Sequence, residues 1–473
     1  MDQRATSPAW SRRQLLRAAA GGLLSLAGAR RAHSATSTPR AGSRRSRRPP
    51  NFVFILSDNH RWDAMSSMGH PFVRTPNMDR IGREGLHFRN AFATTPLCSP
   101  ARASFLTGQY AYRHRVLNNA ERSRWDDGNV TFLELLSREA GYTNAFVGKW
   151  HMPGSGLPRL RGVEHFVTFT IEDGQGRYFD CPLVVDGREE PSRRSYLTEE
   201  LTDRALAFLR QQGGGPFCLY LSHKAAHHPW RSPPDIEGLY AREPVELPEG
   251  ANDWTGFTNG EIWGGFSQPI ESAIRAYLEN VTALDREIGR LLDGLAELGL
   301  LDETLVLYAS DQGFLFGEKK HVELRWPFEA VLRLPFLLRL PGLLARPGRR
   351  PPQMALNIDV APTLLELAGV EVPRQMQGMS LVPVLRDPEA PGRRAFLVEN
   401  AKEFPYTAPT YQGVRTTRYL YVEFEGRQED TLHDVLADPG QRRNLLHTAE
   451  GRRVLPELQQ LLAALRRGER FDG

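Results

Sequence analysis

Three patterns predict an α/β fold: a central, mostly parallel sheet flanked by helices, with a small antiparallel-sheet subdomain at the C-terminus. Short continuous apolar runs end abruptly in polar residues, as strands buried on both faces do. Stretches with helical spacing separate those runs, which places helices on both sides of one sheet. After about residue 395 the pattern changes to closely spaced short strands and a terminal helix.

Taken in order, residues 51–57 (NFVFILS) form the first buried strand and deliver Asp58 at its C-terminal edge. Residues 77–84 have helical spacing around Met78 and Ile81. Residues 131–140 make a stronger helix, with Gly141 at the position where a left-handed residue closes it. A strand over 143–147 runs into Gly148-Lys149-Trp150-His151. An amphipathic helix over 198–211 precedes a strand over 217–221, and a long helix over 272–298 precedes TLVLYA at 304–309, which ends at Ser310-Asp311. Short strands at 413–415 and 419–424 and a helix over 454–467 make up the C-terminal unit. Asp58, Lys149, His151, His227 and Asp311 all follow strand-like runs. That placement gathers them on one rim, where ligands of open α/β sheets collect.

A chain of 473 residues with 40% hydrophobic content buries a large core and exceeds the usual single-domain length. Its formal charge of +4 does not signal a nucleic-acid partner. Residues 1–48 hold eleven Arg and one acid, a net +10, so the remainder carries −6. The basic segment reads Ser11-Arg12-Arg13-Gln14-Leu15-Leu16-Arg17, then an apolar small-residue run over 18–29, then small residues around 32–35. This is the order of a twin-arginine export signal, and the run is too short to span a bilayer. The expected organisation is a signal over 1–35, a Ser/Arg/Pro-rich linker over 36–50, a main α/β domain over 51–395 and a subdomain over 396–473. The mature protein is expected to be periplasmic or secreted, with the export machinery as a transient partner and no integral membrane segment. Of three cysteines, Cys181 and Cys218 have the option of one disulfide; Cys218 in the run 217–221 also suits a buried thiol.

Residues 98–108 read CSPARASFLTG, a C-x-P-x-R motif followed by T-G. With its flanks (TPNMDRIGREGLHFRNAFATTPLCSPARASFLTG), and with GKWH at 148–151, SHKAAHHP at 222–229, TLVLYASDQG at 304–313 and GVRTTRYLYVEF at 413–424, the chain resembles the sulfatase family from residue 51 onward. The resemblance implies an alkaline phosphatase-like fold and hydrolysis of sulfate monoesters on a glycan or an aryl alcohol. It also implies that Cys98 is oxidised to formylglycine by the formylglycine-generating enzyme, acting on the unfolded chain. The chemistry favours that change: an aldehyde hydrate offers one hydroxyl to attack sulfur and a second whose deprotonation releases sulfate.

By the same resemblance Asp58 and Asp311 ligate a divalent cation, with residue 98 completing the set. Many relatives carry a second Asp and an Asn or His where this chain has Asn59 and Gln312; both still offer a carbonyl oxygen, at the loss of one negative charge. Calcium is expected first and magnesium second. Arg102 holds the hydrate, Lys149 binds sulfate, His151 acts as base toward the hydrate, and His227, in the A-x-H-x-P register, protonates the leaving oxygen. The pattern departs at Leu324, which stands where the family has a sulfate-binding Lys. Arg325, Lys320 or His321 takes over, Arg325 ranking first for its fork of donors. An aromatic and Gly-rich segment over 254–266 has the option of stacking on sugar rings. Two other readings stay open: a phosphonate monoester or phosphodiester hydrolase of the same superfamily, because of the single Asp at 58, and a non-catalytic binding homologue, because of Leu324.

Overall fold

The computed structural model describes residues 48–471 apart from 121–124, 127, 154–159, 170–174, 249–250, 252–268 and 427. The signal over 1–35, most of the linker and the aromatic segment over 254–266 lie outside the described residues.

The strands are β1 (Asn51–Ser57), β2 (Leu86–His87), β3 (Ala91–Phe92), β4 (Thr143–Gly148), β5 (His165–Thr168), β6 (Leu183–Val185), β7 (Arg188–Glu190) and β8 (Phe217–Ser222). They continue as β9 (Thr304–Ser310), β10 (Phe336–Arg339), β11 (Ala355–Leu356), β12 (Ala395–Asn400), β13 (Tyr411–Thr416), β14 (Tyr419–Phe424) and β15 (Thr431–Asp434). The helices are α1 (Pro76–Glu84), α2 (Cys98–Thr107), α3 (Ala111–His114), α4 (Phe132–Ala140) and α5 (Leu197–Arg210), then α6 (Ile270–Glu297), α7 (Glu329–Leu332), α8 (Val360–Ala368), α9 (Val382–Arg386) and α10 (Ala449–Arg466).

Nine strands form the main sheet in the order β2-β10-β9-β1-β8-β4-β5-β6-β7. The five from β9 to β5 are parallel, while β10 and β2 at one edge and β6 and β7 at the other run antiparallel. The sheet is therefore mixed, parallel at its centre only. Alternation along β1 explains why both faces are covered. Val53 and Ile55 pack into one core with residues of α1, α5 and α6, and Phe52, Phe54 and Leu56 into another with residues of α2, α4 and α8. Each such buried side chain contributes about 1.5–3 kcal/mol. A four-stranded antiparallel sheet, β12-β13-β14-β15, packs with α10 around a third core.

Local rules explain several boundaries. Thr131 caps α4 by accepting the Glu134 amide, and Gly141, at φ 66°, closes it. Helix α10 begins five residues before the expected 454, at a Thr448 cap that accepts the Gly451 amide, and it contains Pro456. Cys98, Cys181 and Cys218 are all buried free thiols, so the expected option of a 181–218 disulfide is not taken.

Candidate active site

Four adjacent parallel strands, β9, β1, β8 and β4, end at the same level: Ser57 pairs with Ser310, Leu56 with Ser222, and Gly148 with Ser222. Whatever follows them shares one rim. Thus Asp58 after β1, Asp311 after β9, Lys149 and His151 after β4 and His227 in the turn after β8 converge, all of them buried. Gly148, at φ 116°, has to be glycine, since a Cβ there would stand 1.8 Å from the Ser222 carbonyl oxygen. Helix α2 starts at the rim with Cys98 as its first residue; Arg102, one turn later, lies on the same face.

Arg102 is the electrostatic centre. Its Nη2 donates to Asp58 Oδ2 (3.0 Å) and to Asp311 Oδ2 (2.8 Å), and its Nη1 to Ser222 Oγ (2.7 Å) and the Lys149 carbonyl (3.1 Å). Lys149 Nζ makes a short bond to Asp58 Oδ2 and donates to Gln175 Oε1 at 2.6 Å. Burial alone would push the Asp58 carboxyl up, but the charges of Lys149 and Arg102 outweigh it and hold Asp58 below the usual carboxylate range. Asp311 is pushed up to about 6 by burial and by the charge on Asp58. Burial, and then the charge of Asp58, push the Cys98 thiol up to about 12, so the unmodified side chain is protonated and a poor nucleophile. Burial and then neighbouring cations, Lys149 and Arg102 for His151 and Lys149 and Lys224 for His227, hold both imidazoles neutral at pH 7.

The expected cation-binding residues come together. Cys98 Sγ lies 3.8 Å from Asp58 Oδ1, and Asp58, Cys98 and His227 bring ligand atoms within 4.8 Å of one another. The amides of Asn59, at φ 58°, and Gln312 both donate to Asp311 Oδ1 (3.0 and 2.9 Å). Gln312 Nε2 bonds Asn59 Oδ1 and donates to Cys98 Sγ (3.2 Å), while Gln312 Oε1 has no hydrogen-bond partner among the described residues. The oxygen and nitrogen of that amide occupy near-equivalent positions. Exchanging them would set Gln312 Oε1 beside Asn59 Oδ1 and residue 98, and together with the Asp58 and Asp311 carboxylates these make an oxygen-rich set that suits a hard divalent cation.

Gln175 and Ser222 join the site without having been expected. Gln175 bridges the pair, accepting from Lys149 and approaching His151 Nε2 at 3.0 Å with its amide nitrogen. Gln175 lies in no motif and at the end of no apolar run, whereas Ser222 closes FCLYLS in β8 and opens SHKAAHHP, and that position was the available signal. Leu324, at the place of the family Lys, is 1% exposed and packed in the core. Arg325 is equally buried, with Nε and Nη2 held by Glu403 Oε2 at 3.0 and 2.6 Å. Lys320 is exposed, and His321 stacks on Trp326 with ring centres 4.2 Å apart.

A family model described as Sulfatase matches residues 50–370, and one described as N-sulphoglucosamine sulphohydrolase, C-terminal, matches 317–468. The N-acetylglucosamine-6-O-sulfatase of Bacteroides thetaiotaomicron is 31% identical, over 87% of this chain and 85% of that one. The human N-acetylglucosamine-6-sulfatase is 28% identical, over 87% and 82%. A solved structure of a protein in complex with its substrate D-glucosamine-2-N,6-O-disulfate matches with a TM-score of 0.78 at 29% identity, covering 89% of this chain and 98% of that one. The phosphonate monoester hydrolase of Agrobacterium radiobacter shares the fold, with a TM-score of 0.73 at 22% identity over 89% and 96%. A match over most of the chain, with the motif cysteine at the head of a helix facing two buried aspartates, means that this chain belongs to the sulfatase family.

Proposed function

We propose that this sulfatase hydrolyses sulfate monoesters of amino sugars, using a formylglycine made from Cys98 and a divalent cation held by Asp58, Asn59, Asp311, Gln312 and residue 98. The convergence of Cys98, Arg102, Lys149, His151 and His227 on one buried rim carries this reading, because each group has a separate task in sulfuryl transfer. Asp58 and Asp311 offset Arg102 and Lys149 in charge, and buried Lys224, which acts on both Asp58 and His227, leaves the site positive and receptive to a sulfate anion. When bound, the divalent cation polarises a sulfate oxygen and favours an ionised oxygen on residue 98. The hydrated aldehyde supplies a hydroxyl nucleophile together with a second hydroxyl for sulfate release.

The chain's own residues do the rest. Arg102 fixes the start of α2 against both carboxylates, and the N-terminal end of that helix favours negative charge. Lys149, tied to Asp58 and Gln175, places a cation where the transferring group sits. His151, neutral and within reach of Gln175, accepts the proton that leaves the hydrate. His227 donates from Nδ1 to the His228 carbonyl (2.5 Å), which leaves Nε2 for the leaving oxygen. Arrival of the sulfate charge stabilises the protonated ring that this step needs.

Calcium fits the oxygen-rich donor set first, magnesium second. The twin-arginine segment supports export to the periplasm or medium, with the formylglycine-generating enzyme and the export machinery as transient partners. No described helix is long and apolar enough to cross a membrane. The test is turnover of N-acetylglucosamine 6-sulfate, 4-nitrophenyl sulfate and an aryl phosphodiester by protein made in a host that forms formylglycine. The expected order of kcat/KM puts the sugar sulfate first. A preference for the phosphodiester would instead favour the phosphonate and phosphodiester reading, to which Asn59 in place of a second Asp points.

A further inference from the structure

Helix α2 begins with residue 98, and its own residues cannot cap it. Leu97 stands at the N-cap with no side-chain acceptor to offer, and Pro100 has no N–H. The Ser99 amide, otherwise an orphan donor of that first turn, is taken by Asn119 Oδ1 (3.0 Å). The side chain of Ser99, a residue 1% exposed, reaches out of the helix and donates from Oγ to the carbonyl of His151 (2.6 Å). Arg102, three positions on and on the same face, donates to the carbonyl of Lys149 (3.1 Å). Two side chains of α2 thus hold two carbonyls of the loop that leaves β4, the loop that carries Lys149 and His151.

His151 is the residue that needs holding. Its φ of 46° lies in the left-handed region, which few residues other than glycine occupy unless their surroundings impose it. It lies past the end of β4, so no ladder partner serves its carbonyl, and a buried carbonyl needs a donor; Ser99 Oγ is the donor in place. The ring has little else to aim it. Nε2 meets the Gln175 amide nitrogen at 3.0 Å, and Nδ1 is buried with no hydrogen-bond partner among the described residues. The direction of the imidazole toward residue 98 therefore depends on its backbone, and its backbone on Ser99.

We infer that Ser99 is a positioning residue for sulfate release: through the His151 carbonyl it sets the imidazole against residue 98. This rests on the function proposed above, in which residue 98 is the nucleophile and His151 its base. Attack on sulfur leaves the sulfuryl group on one oxygen of residue 98 and a hydroxyl beside it on the same carbon. His151 takes the proton of that hydroxyl, the electron pair of the O–H bond becomes the C=O bond, and the C–O bond to sulfate breaks with its pair departing on the sulfate. Water restores the hydrate. The attack itself draws on Arg102, Lys149 and His227, none of which bonds Ser99, so a shift of His151 slows release and spares attack.

The test is steady-state kinetics with 4-nitrophenyl sulfate on Ser99→Ala, Ser99→Thr and the parent, joined to the peptide mass around residue 98 after acid quenching and to circular dichroism as the check on folding. The mass gives the fraction of aldehyde, by which rates are normalised, and the fraction carrying a sulfuryl group. Ser99→Ala should lower kcat about 10- to 100-fold, the range of a misplaced general base, while kcat/KM, which ends at departure of the alcohol, stays within about threefold. The sulfated fraction at steady state should rise above the parent's. Ser99→Thr keeps the hydroxyl and should restore both readouts. Asn119→Ala, outside the motif that the modifying enzyme reads, should shift both in the direction of Ser99→Ala. It decides the matter if Ser99→Ala is not converted to the aldehyde, and an Asn119→Ala chain indistinguishable from the parent would then overturn the inference. It is likewise overturned if aldehyde-bearing Ser99→Ala gains no sulfated fraction, if kcat and kcat/KM fall together, or if Ser99→Thr behaves as Ser99→Ala. A parent without aldehyde or turnover would sink the proposed function and this inference with it; a normal parent beside an unaffected Ser99→Ala sinks the inference alone.

Discussion

At the scale of single residues, the tautomer of His227 is the feature with the sharpest consequence. Because Nδ1 donates to the His228 carbonyl, the leaving-group role proposed for His227 falls to Nε2, the atom that would protonate an oxygen departing as a poor alkoxide. His227→Ala should therefore reduce kcat on an alkyl sugar sulfate by about 10²–10⁴-fold and on 4-nitrophenyl sulfate far less, since the latter leaves without a proton. Steady-state kinetics on the two esters checks it; equal losses would mean that His227 does not serve the leaving group. Residues of this kind were legible in the sequence because each follows an apolar run whose end has only one exit, as Asp58 does after NFVFILS. Gln175 was not, because its role depends on a loop folding back over Lys149 and His151, and nothing periodic marks such a loop.

At the scale of elements, the buried contact between β12 and α3 makes stability depend on pH. Glu399 in β12 accepts the Tyr112 amide of α3 (3.2 Å), and burial pushes its carboxyl up to about 7 despite that bond. An unfolded glutamate titrates near ~4.3. Between those values the folded chain holds a proton that the unfolded chain has released, so this group's contribution to stability falls as pH rises from about 4.3 to 7 and is flat above. Glu399→Gln removes the titration and keeps an acceptor. Measured by urea unfolding, the stability of the variant relative to the parent should move in the variant's favour by about 2–3 kcal/mol between pH 5 and pH 8. A pH-independent difference would contradict the account. The elements read best from sequence were those with a clear period or a cap, such as α4 between Thr131 and Gly141. Helix α2 was missed because all ten of its residues are buried, which erases any amphipathic period. The β6–β7 hairpin was missed although Asp186-Gly187, both at positive φ, is the dipeptide that a two-residue hairpin turn favours.

At the scale of the whole molecule, the parallel centre of the sheet fixes where the chemistry sits. The alternation of strands and helices made the fold class readable. The antiparallel edges were not, because β2, β6 and β7 are two or three residues long and carry too little pattern. The proposed export rests on the N-terminal twin-arginine segment. Replacing Arg12 and Arg13 together by Lys should leave the protein in the cytoplasm at its precursor mass, checked by cell fractionation and immunoblotting; unchanged export would reject a twin-arginine route. The account as a whole turns on one atom. The buried, protonated thiol of Cys98 has no evident task as a thiol at the head of α2, between Asp58 and Gln312. The most direct test is the peptide mass at position 98, for protein made with the formylglycine-generating enzyme, read together with sulfate release from N-acetylglucosamine 6-sulfate. The account predicts an aldehyde at residue 98 and turnover in proportion to it; an unmodified cysteine in a fully active protein would contradict it.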